Sequence, residues 1–354
     1  MEQVRIGIIG LGIMGELYVR IYGSHPLARV VAVSSRRQSR LDEISNNYAV
    51  GNGYTDYRMM LEHEDLDAVV VATPDAHHFL PARDALHAGC HVFVEKPFTT
   101  SVEEADELIR IASSANLKIQ VAFNHRWLPP YAQAKNLIAS GEIGVPLAGY
   151  ARKNDTIFVA TEYIGWAGDT TPAWFLSSHD IDLMRWFLDA EPIEARAWGR
   201  REILHARGIP TYDIIQSQVR FSSGAFVTFE SAWIYPNTFP TIVDSFIEIV
   251  GGNGHIHLDR KCESIETSSA KRFSYPKGFL NQEIFGRLRG AFPSCLEDFL
   301  YAIIEDTPTH VAGLDGRQVT ATLVAIHKSL ESGRTESIAQ PDHGLKEVRV
   351  GPQS

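Results

Sequence analysis

Short apolar runs alternate with helix-compatible stretches over the first 123 residues. Val4-Arg5-Ile6-Gly7-Ile8-Ile9 reads as a buried strand, Glu16 to Tyr22 as a helix, and Arg29 to Val33 as a second strand. Ala68-Val69-Val70-Val71-Ala72 is continuously apolar, as parallel strands are when both sheet faces are covered. His77 to Ala88 reads as a helix and Cys90 to Val94 as a strand. Ser101 opens another helix with Glu104 three residues on, the spacing of a capping box, and Lys118 to Ala122 completes the series. Strands alternating with helices in this way predict an α/β, doubly wound parallel sheet over residues 1–123.

The rhythm changes at Asn124. Pro129-Pro130 is placed in a connection, a helix runs from Tyr131 to Ser140, and Gly141 to Gly144 closes it. After Pro192 come alternating runs at Ala195 to Gly199, Ile214 to Phe221, Ala225 to Ala232, Phe246 to Val250 and His255 to Leu258. Ser222-Ser223-Gly224 and Gly251-Gly252-Asn253-Gly254 carry hairpin-turn chemistry. These features predict a second, α+β domain over 124–354 with a large open, mostly antiparallel sheet. It ends in a helical pair, Pro293 to Ile304 and Asp315 to Ser332, and a polar tail. An open apolar face calls for a partner, so a homodimer or homotetramer through that sheet is expected.

Length and charge narrow the classes. The 354 residues suffice for two domains with cores of their own, and the net charge of -10 disfavours nucleic acid or an anionic membrane surface. Cys90, Cys262 and Cys295 show neither metal-ligand spacing nor a disulfide framework, so free thiols and no metal are expected. No run of about twenty apolar residues occurs, and a strand begins soon after Met1 where a signal peptide would lie, so the expected location is the cytoplasm.

Three places carry candidate chemistry. Gly10-Leu11-Gly12-Ile13-Met14-Gly15 follows a strand and opens a helix. In that setting the first glycine makes a tight turn, the second admits a pyrophosphate and the third packs helix on strand, which points to a nicotinamide dinucleotide. The second strand ends in Val33-Ser34-Ser35-Arg36-Arg37, with no carboxylate for ribose hydroxyls and two arginines suited to a phosphate, so NADP is favoured over NAD. Glu95-Lys96-Pro97 puts an ammonium at the carboxyl end of His91-Val92-Phe93-Val94, where open α/β sheets bind ligands. The proline restricts the backbone there and admits a cis bond. A solvated turn is the plainer alternative. Finally, Ser177 to Leu188 reads as a capped, buried helix with His179, Asp182 and Trp186 along one face. Asp182 beside His179 suits a general base, and a core histidine held by its neighbour is the alternative.

Taken in order, Thr73-Pro74-Asp75-Ala76-His77-His78, the run into Lys96, Asn124-His125-Arg126, Ser140-Gly141-Glu142-Ile143-Gly144 and His179-Asp180-Ile181-Asp182 resemble the motifs of the glucose-fructose oxidoreductase and inositol dehydrogenase family, Gfo/Idh/MocA. The resemblance covers nearly the whole chain. It implies a Rossmann domain, a second domain whose open sheet forms subunit contacts, and oxidation of a sugar or cyclitol hydroxyl to a ketone. Lys96 would bond the reacting hydroxyl and the nicotinamide ribose, His179 would take the proton, and Asp182 would hold substrate hydroxyls or orient the histidine. Cofactor contacts would come from Gly10, Gly12, Ile13, Met14, Gly15, Ser35, Arg36, Arg37, Thr73, Pro74, His78, Glu95, Lys96 and Asn124. Arg126, Lys153 and Trp174 would join the substrate site, with Asn154, Tyr163 and Trp166 as weaker candidates.

One position departs from the family pattern. Many members carry an aspartate four residues before the histidine, where this chain has Phe175, and Asp169 is one candidate to replace it. Two other readings stay open, a glycoside-cleaving enzyme that oxidises its sugar transiently with retained cofactor and a non-catalytic dinucleotide-sensing regulator. Retention of both Lys96 and His179 favours an enzyme.

Overall fold

A computed structural model describes residues 3–342, 344 and 345; the end of the polar tail, from residue 346, lies outside them. The chain divides into two units. The first contains the residues up to Phe123 together with Glu283–Arg317, and the second contains Asn124–Gln282 with Gln318–Gln340.

The first unit is built on six parallel strands: β1 (Val4–Ile9), β2 (Ala28–Ser34), β3 (Asn52–Tyr54), β4 (Ala68–Val71), β5 (His91–Val94) and β6 (Ile119–Val121), in the order β3-β2-β1-β4-β5-β6. The order reverses between β1 and β4, which makes their carboxyl ends the place where a doubly wound sheet binds ligands. All four residues of β4 are fully buried, the result of a strand with no polar position and helices on both faces. Helices α1 (Ile13–Gly23), α2 (Gln38–Asn47), α3 (Tyr57–His63), α4 (Phe79–His87) and α5 (Val102–Ser114) connect the strands. The predicted cap of α5 is present, with Ser101 Oγ accepting from the Glu104 amide at 3.3 Å. Its Val102, Ala105, Leu108, Ile109 and Ala112 are buried at helical spacing. The stretch expected as one helix from His77 to Ala88 is a 3₁₀ turn, Asp75–His77, followed by α4.

Where the sequence suggests that everything after Asn124 forms one domain, the structure returns Glu283–Arg317 to the first unit. Apolar spacing shows that a helix is buried and is silent on what covers it. Here α8 (Ala291–Ile304) buries Cys295, Leu296, Phe299 and Leu300. The Phe299 ring lies 5.7 Å from Phe93, and the Gln120 side chain donates to the Cys295 carbonyl at 2.7 Å.

In the second unit α6 (Pro129–Ala139) takes Pro129 and Pro130 as its first two residues rather than leaving them in a connection, since proline suits the first helical turn. A seven-stranded sheet follows, with β7 (Pro146–Thr156), β8 (Pro192–Arg200), β9 (Ile214–Phe221), β10 (Phe226–Tyr235), β11 (Val243–Gly251) and β12 (His255–Asp259) in the order β12-β11-β7-β10-β9-β8, and Glu336–Ser337 at the β8 edge. Among the described residues of this sheet, β7 and β10 pair in parallel and the other neighbours antiparallel. One face is covered by α7 (Ser178–Leu188), and Met184 lies over Gly149. The other face carries Tyr150, Arg152, Phe246 and Glu230, with Phe226 55% and Trp198 57% exposed. The helical pair is completed by α9 (Gly313–Ser332).

Candidate active site

The glycine turn sits at the carboxyl end of β1. Gly10 has a φ of 93°, and a side chain there would meet the Ala72 carbonyl at the end of β4; at Gly15 it would meet the Gly10 carbonyl at 1.8 Å. Both glycines are thus required by close backbone approach. Gly12 is different, because a Cβ there meets nothing within 4 Å, and no side chain caps the amino end of α1, which Gly12 opens. Uncapped helix amides beside open space suit an anionic group. A recess of about 380 Å³ adjoins them, lined by Leu11, Gly12, Ile13, Arg37, Ser39, Arg40 and Glu43. Within it Arg40 is paired with Glu16 and Glu43. Arg36 and Arg37 are exposed, and among the described residues neither guanidinium is ion-paired.

The next strand ends bring the Thr73 and Lys96 motifs to the same edge of this sheet. The Thr73 hydroxyl donates to the His77 carbonyl at 2.8 Å, and Pro74 leads the 3₁₀ turn. His78 is buried, with ring nitrogens 2.6 Å from the Pro97 carbonyl oxygen and 2.8 Å from that of Thr73. It ties two strand ends together at this edge of the sheet. The Lys96–Pro97 bond is cis. Glu95 is buried, and Tyr18 of α1 donates to its Oε1. Burial raises the Glu95 carboxyl above the usual range, against the lowering pull of the Lys96 charge and the Tyr18 bond. Glu95 thus lies beneath Lys96 as support.

The remaining candidates belong to the second unit. A 3₁₀ turn, Asn124–Trp127, follows the first unit directly. Asn124 is 1% exposed and neither atom of its side-chain amide has a partner among the described residues. An unsatisfied buried amide is costly, by roughly 1–3 kcal/mol, and a ligand offering both a donor and an acceptor would relieve it. Arg126 and Asp182 form a bidentate pair, Nε to Oδ2 at 2.9 Å and Nη2 to Oδ1 at 2.6 Å, and the guanidinium also lies 5.7 Å from the centre of the Trp186 ring. On the same helix His179 stacks on His125, with ring centres 4.1 Å apart and planes 15° from parallel.

Four more residues singled out in the sequence belong to this unit. Ser177 does not cap α7, because a π turn at Ala173–Ser177 runs straight into the helix. The Lys153 ammonium bonds Asp180, both side chains being buried, and so ties β7 to α7. The Asn154 amide donates to Glu230 at 2.6 Å and to Tyr235 at 2.9 Å. Trp174 stacks on His327 of α9 at 5.3 Å, and the Thr171 hydroxyl lies 2.8 Å from His327 Nε2. Burial pushes the His327 imidazole down, which favours the neutral ring with Nδ1 donating to the Leu323 carbonyl.

Phe175 joins an apolar cluster, with Trp166 at 5.9 Å and Trp233 at 6.0 Å around Ala160, Ile164, Ala167 and Leu204. A carboxylate there would face a hydrophobic wall. Asp169 is exposed on a 3₁₀ turn, and Tyr163 is exposed. His125 and Asp180 are the two site residues to which the sequence reading assigns no role. The motif around His125 marks it, whereas nothing in the local pattern marks Asp180. No helix among the described residues is long and apolar enough to cross a membrane.

Comparison with known proteins gives two matches along the chain. Residues 4–123 match the model of an oxidoreductase family with an NAD-binding Rossmann fold, and residues 131–257 match a GFO/IDH/MocA C-terminal domain. The chain is 30% identical to the scyllo-inositol 2-dehydrogenase (NAD+) of Bacillus subtilis, over 77% of this chain and 79% of that one. It is 26% identical to the myo-inositol 2-dehydrogenase of Thermotoga maritima, over 95% and 99%. The fold matches that of scyllo-inositol dehydrogenase from Lactobacillus casei, solved with NAD(H) and scyllo-inositol, with a TM-score of 0.83 at 23% identity over 96% of this chain and 100% of that one.

Proposed function

From the chain's membership of the Gfo/Idh/MocA oxidoreductase family, we propose that it oxidises a secondary hydroxyl of a sugar or cyclitol to a ketone with a nicotinamide dinucleotide, NADP in preference to NAD. The observation that carries the reading is Lys96 at the carboxyl end of β5, in the sheet whose β1 end holds the open glycine turn. The inositol dehydrogenases among its relatives support the substrate class.

Gly12, the α1 amides of Ile13, Met14 and Gly15, and the unsatisfied Asn124 amide would hold the dinucleotide. The nicotinamide ring, when bound, supplies the hydride acceptor. The Lys96 ammonium donates to the hydroxyl oxygen and stabilises the charge that develops as the proton leaves. His179 takes that proton, with His125 stacked on it to set the plane of its ring. The Asp182 carboxylate, fixed by Arg126, would accept from neighbouring substrate hydroxyls. Trp174 would offer an aromatic face to the ring of the substrate. Activity on a panel of inositols, aldoses and their glycosides, followed by nicotinamide absorbance with each cofactor, tests the reading.

Preference for NADP rests on Arg36 and Arg37, exposed and, among the described residues, without ion pairs, in the Ser34-Ser35-Arg36-Arg37 stretch that ends β2 with no carboxylate. Replacing both with serine should raise KM for NADP by about tenfold or more and leave KM for NAD within about threefold, since charge-assisted bonds contribute roughly 1.5–3 kcal/mol. Equal effects on the two cofactors would refute it. The exposed aromatic rings on the open sheet face support a homodimer or homotetramer. Charging that face with Trp198→Asp and Phe226→Asp should lower the assembly mass in sedimentation, and an unchanged mass would rule out this interface. An exposed free thiol, Cys262, and two buried ones fit a reducing, cytoplasmic setting.

A further inference from the structure

We propose that Tyr18 is a positioning residue for Lys96, acting through Glu95, so that the helix opened by the glycine turn and the lysine at the end of β5 are set by one buried hydrogen-bonded chain. The inference rests on the role given to Lys96 above.

Tyr18 lies on α1 one turn beyond Gly15 and is fully buried. Its hydroxyl donates to Glu95 Oε1, and the other oxygen, Oε2, accepts the Lys96 backbone N–H at 3.0 Å. Each carboxylate oxygen thus has a separate duty, one toward the dinucleotide helix and one toward the lysine. The Tyr18 ring is held edge-on by Phe93 at 5.6 Å, and Phe93 is packed in turn against Phe299, so the hydroxyl has little freedom to turn aside.

Charged and titratable groups face this carboxylate from several elements: Tyr18 from α1, His78 from the start of α4, and Lys96 from the chain itself. Cys295 of α8 and Tyr22 of α1 lie behind Tyr18. Burial favours the neutral carboxylic acid, while Lys96, the Tyr18 hydroxyl, His78 and the Lys96 amide favour the carboxylate. Removing the hydroxyl tips that balance toward protonation. A protonated Glu95 no longer presents a full acceptor to the Lys96 amide or a counter-charge to its ammonium.

Tyr18→Phe removes one oxygen and keeps the ring. With NADP and a turned-over polyol, kcat should fall about tenfold or more at neutral pH, with the Kd for the dinucleotide within about threefold of the parent. The acid limb of the kcat profile should move to higher pH, so that the variant recovers part of the parent rate in alkaline buffer. Glu95→Gln should lower kcat without that recovery, and adding Tyr18→Phe to it should cost little more, because both act through one bond. Two readouts need no turnover: in the dinucleotide-bound protein, the Glu95 side-chain carbon signal should titrate at higher pH in Tyr18→Phe, and the Lys96 side-chain signals should shift. Unmoved titration and unshifted Lys96 signals, or a Tyr18→Phe kcat within about threefold of the parent at every pH, would overturn the inference. A parent protein that turns over no polyol would instead count against the function assigned to Lys96, with the two spectroscopic readouts still deciding the link.

Discussion

Lys96→Met should lower kcat for polyol oxidation by roughly 10²–10⁴-fold while the Kd for the dinucleotide changes by no more than a few-fold. The reasoning begins with the strand. β5 ends in buried apolar residues, and the buried Glu95 carboxylate accepts from the Lys96 backbone N–H, so Lys96 issues from a rigid support at the ligand-binding edge of the sheet. An ammonium held there acts on the oxygen that gains charge during oxidation, an interaction stronger in the transition state than in the ground state, and its loss appears in kcat. Methionine keeps the length and apolar stem and removes only the charge. Steady-state rates alongside dinucleotide titration would test this. A kcat within about tenfold of the parent would mean that the lysine is structural.

His179→Asn should cost a comparable roughly 10²–10⁴-fold at neutral pH and abolish the acid limb that the imidazole imposes on kcat/KM. The imidazole is held by stacking on His125 at 4.1 Å, on a helix whose Asp180 and Asp182 are tied to Lys153 and Arg126. These ties keep α7 in place when the ring is changed, so the loss reports proton transfer rather than a displaced helix. The sign is fixed by the chemistry: a base works when neutral, so the parent loses rate as pH falls, and the variant, lacking that base, shows a low rate without that dependence. A pH–rate profile of both proteins is the check, and an unchanged acid limb in the variant would assign the base elsewhere.

The elements visible in the sequence are those that local pattern determines. The glycine turn was legible because the constraints on Gly10 and Gly15 are imposed by neighbouring backbone, at the ends of β1 and β4. β4 was legible because four apolar residues leave no exposed face. Pairing across long separations was not. Spacing on α7 places His179 and Asp182 on one face, but Arg126, 56 residues earlier, takes up the carboxylate, and Lys153 is joined to Asp180 by β7 packing against α7. The amphipathic character of α8 announced burial and concealed its destination, the first unit. The π turn before α7 hid the true start of that helix, since Ser177 looks like a cap in sequence and is helical in the structure.

Phe175 shows the same limit from the other side. As a letter it reads as a missing carboxylate; in the fold it is one wall of an apolar cluster with Trp166 and Trp233. The proposed proton transfer is assigned to Lys96 and His179, with Asp182 kept in place by Arg126.

Transfer of deuterium tests the central claim most directly. The protein is incubated with NADP and cyclitols or sugars deuterated at their secondary carbons, and the nicotinamide product and the organic product are analysed together. The account predicts deuterium at nicotinamide C4 in amounts equal to the ketone formed, with NADP outperforming NAD. Tight dinucleotide binding with no label transferred from any substrate, or cleavage of a glycoside without net cofactor reduction, would contradict it.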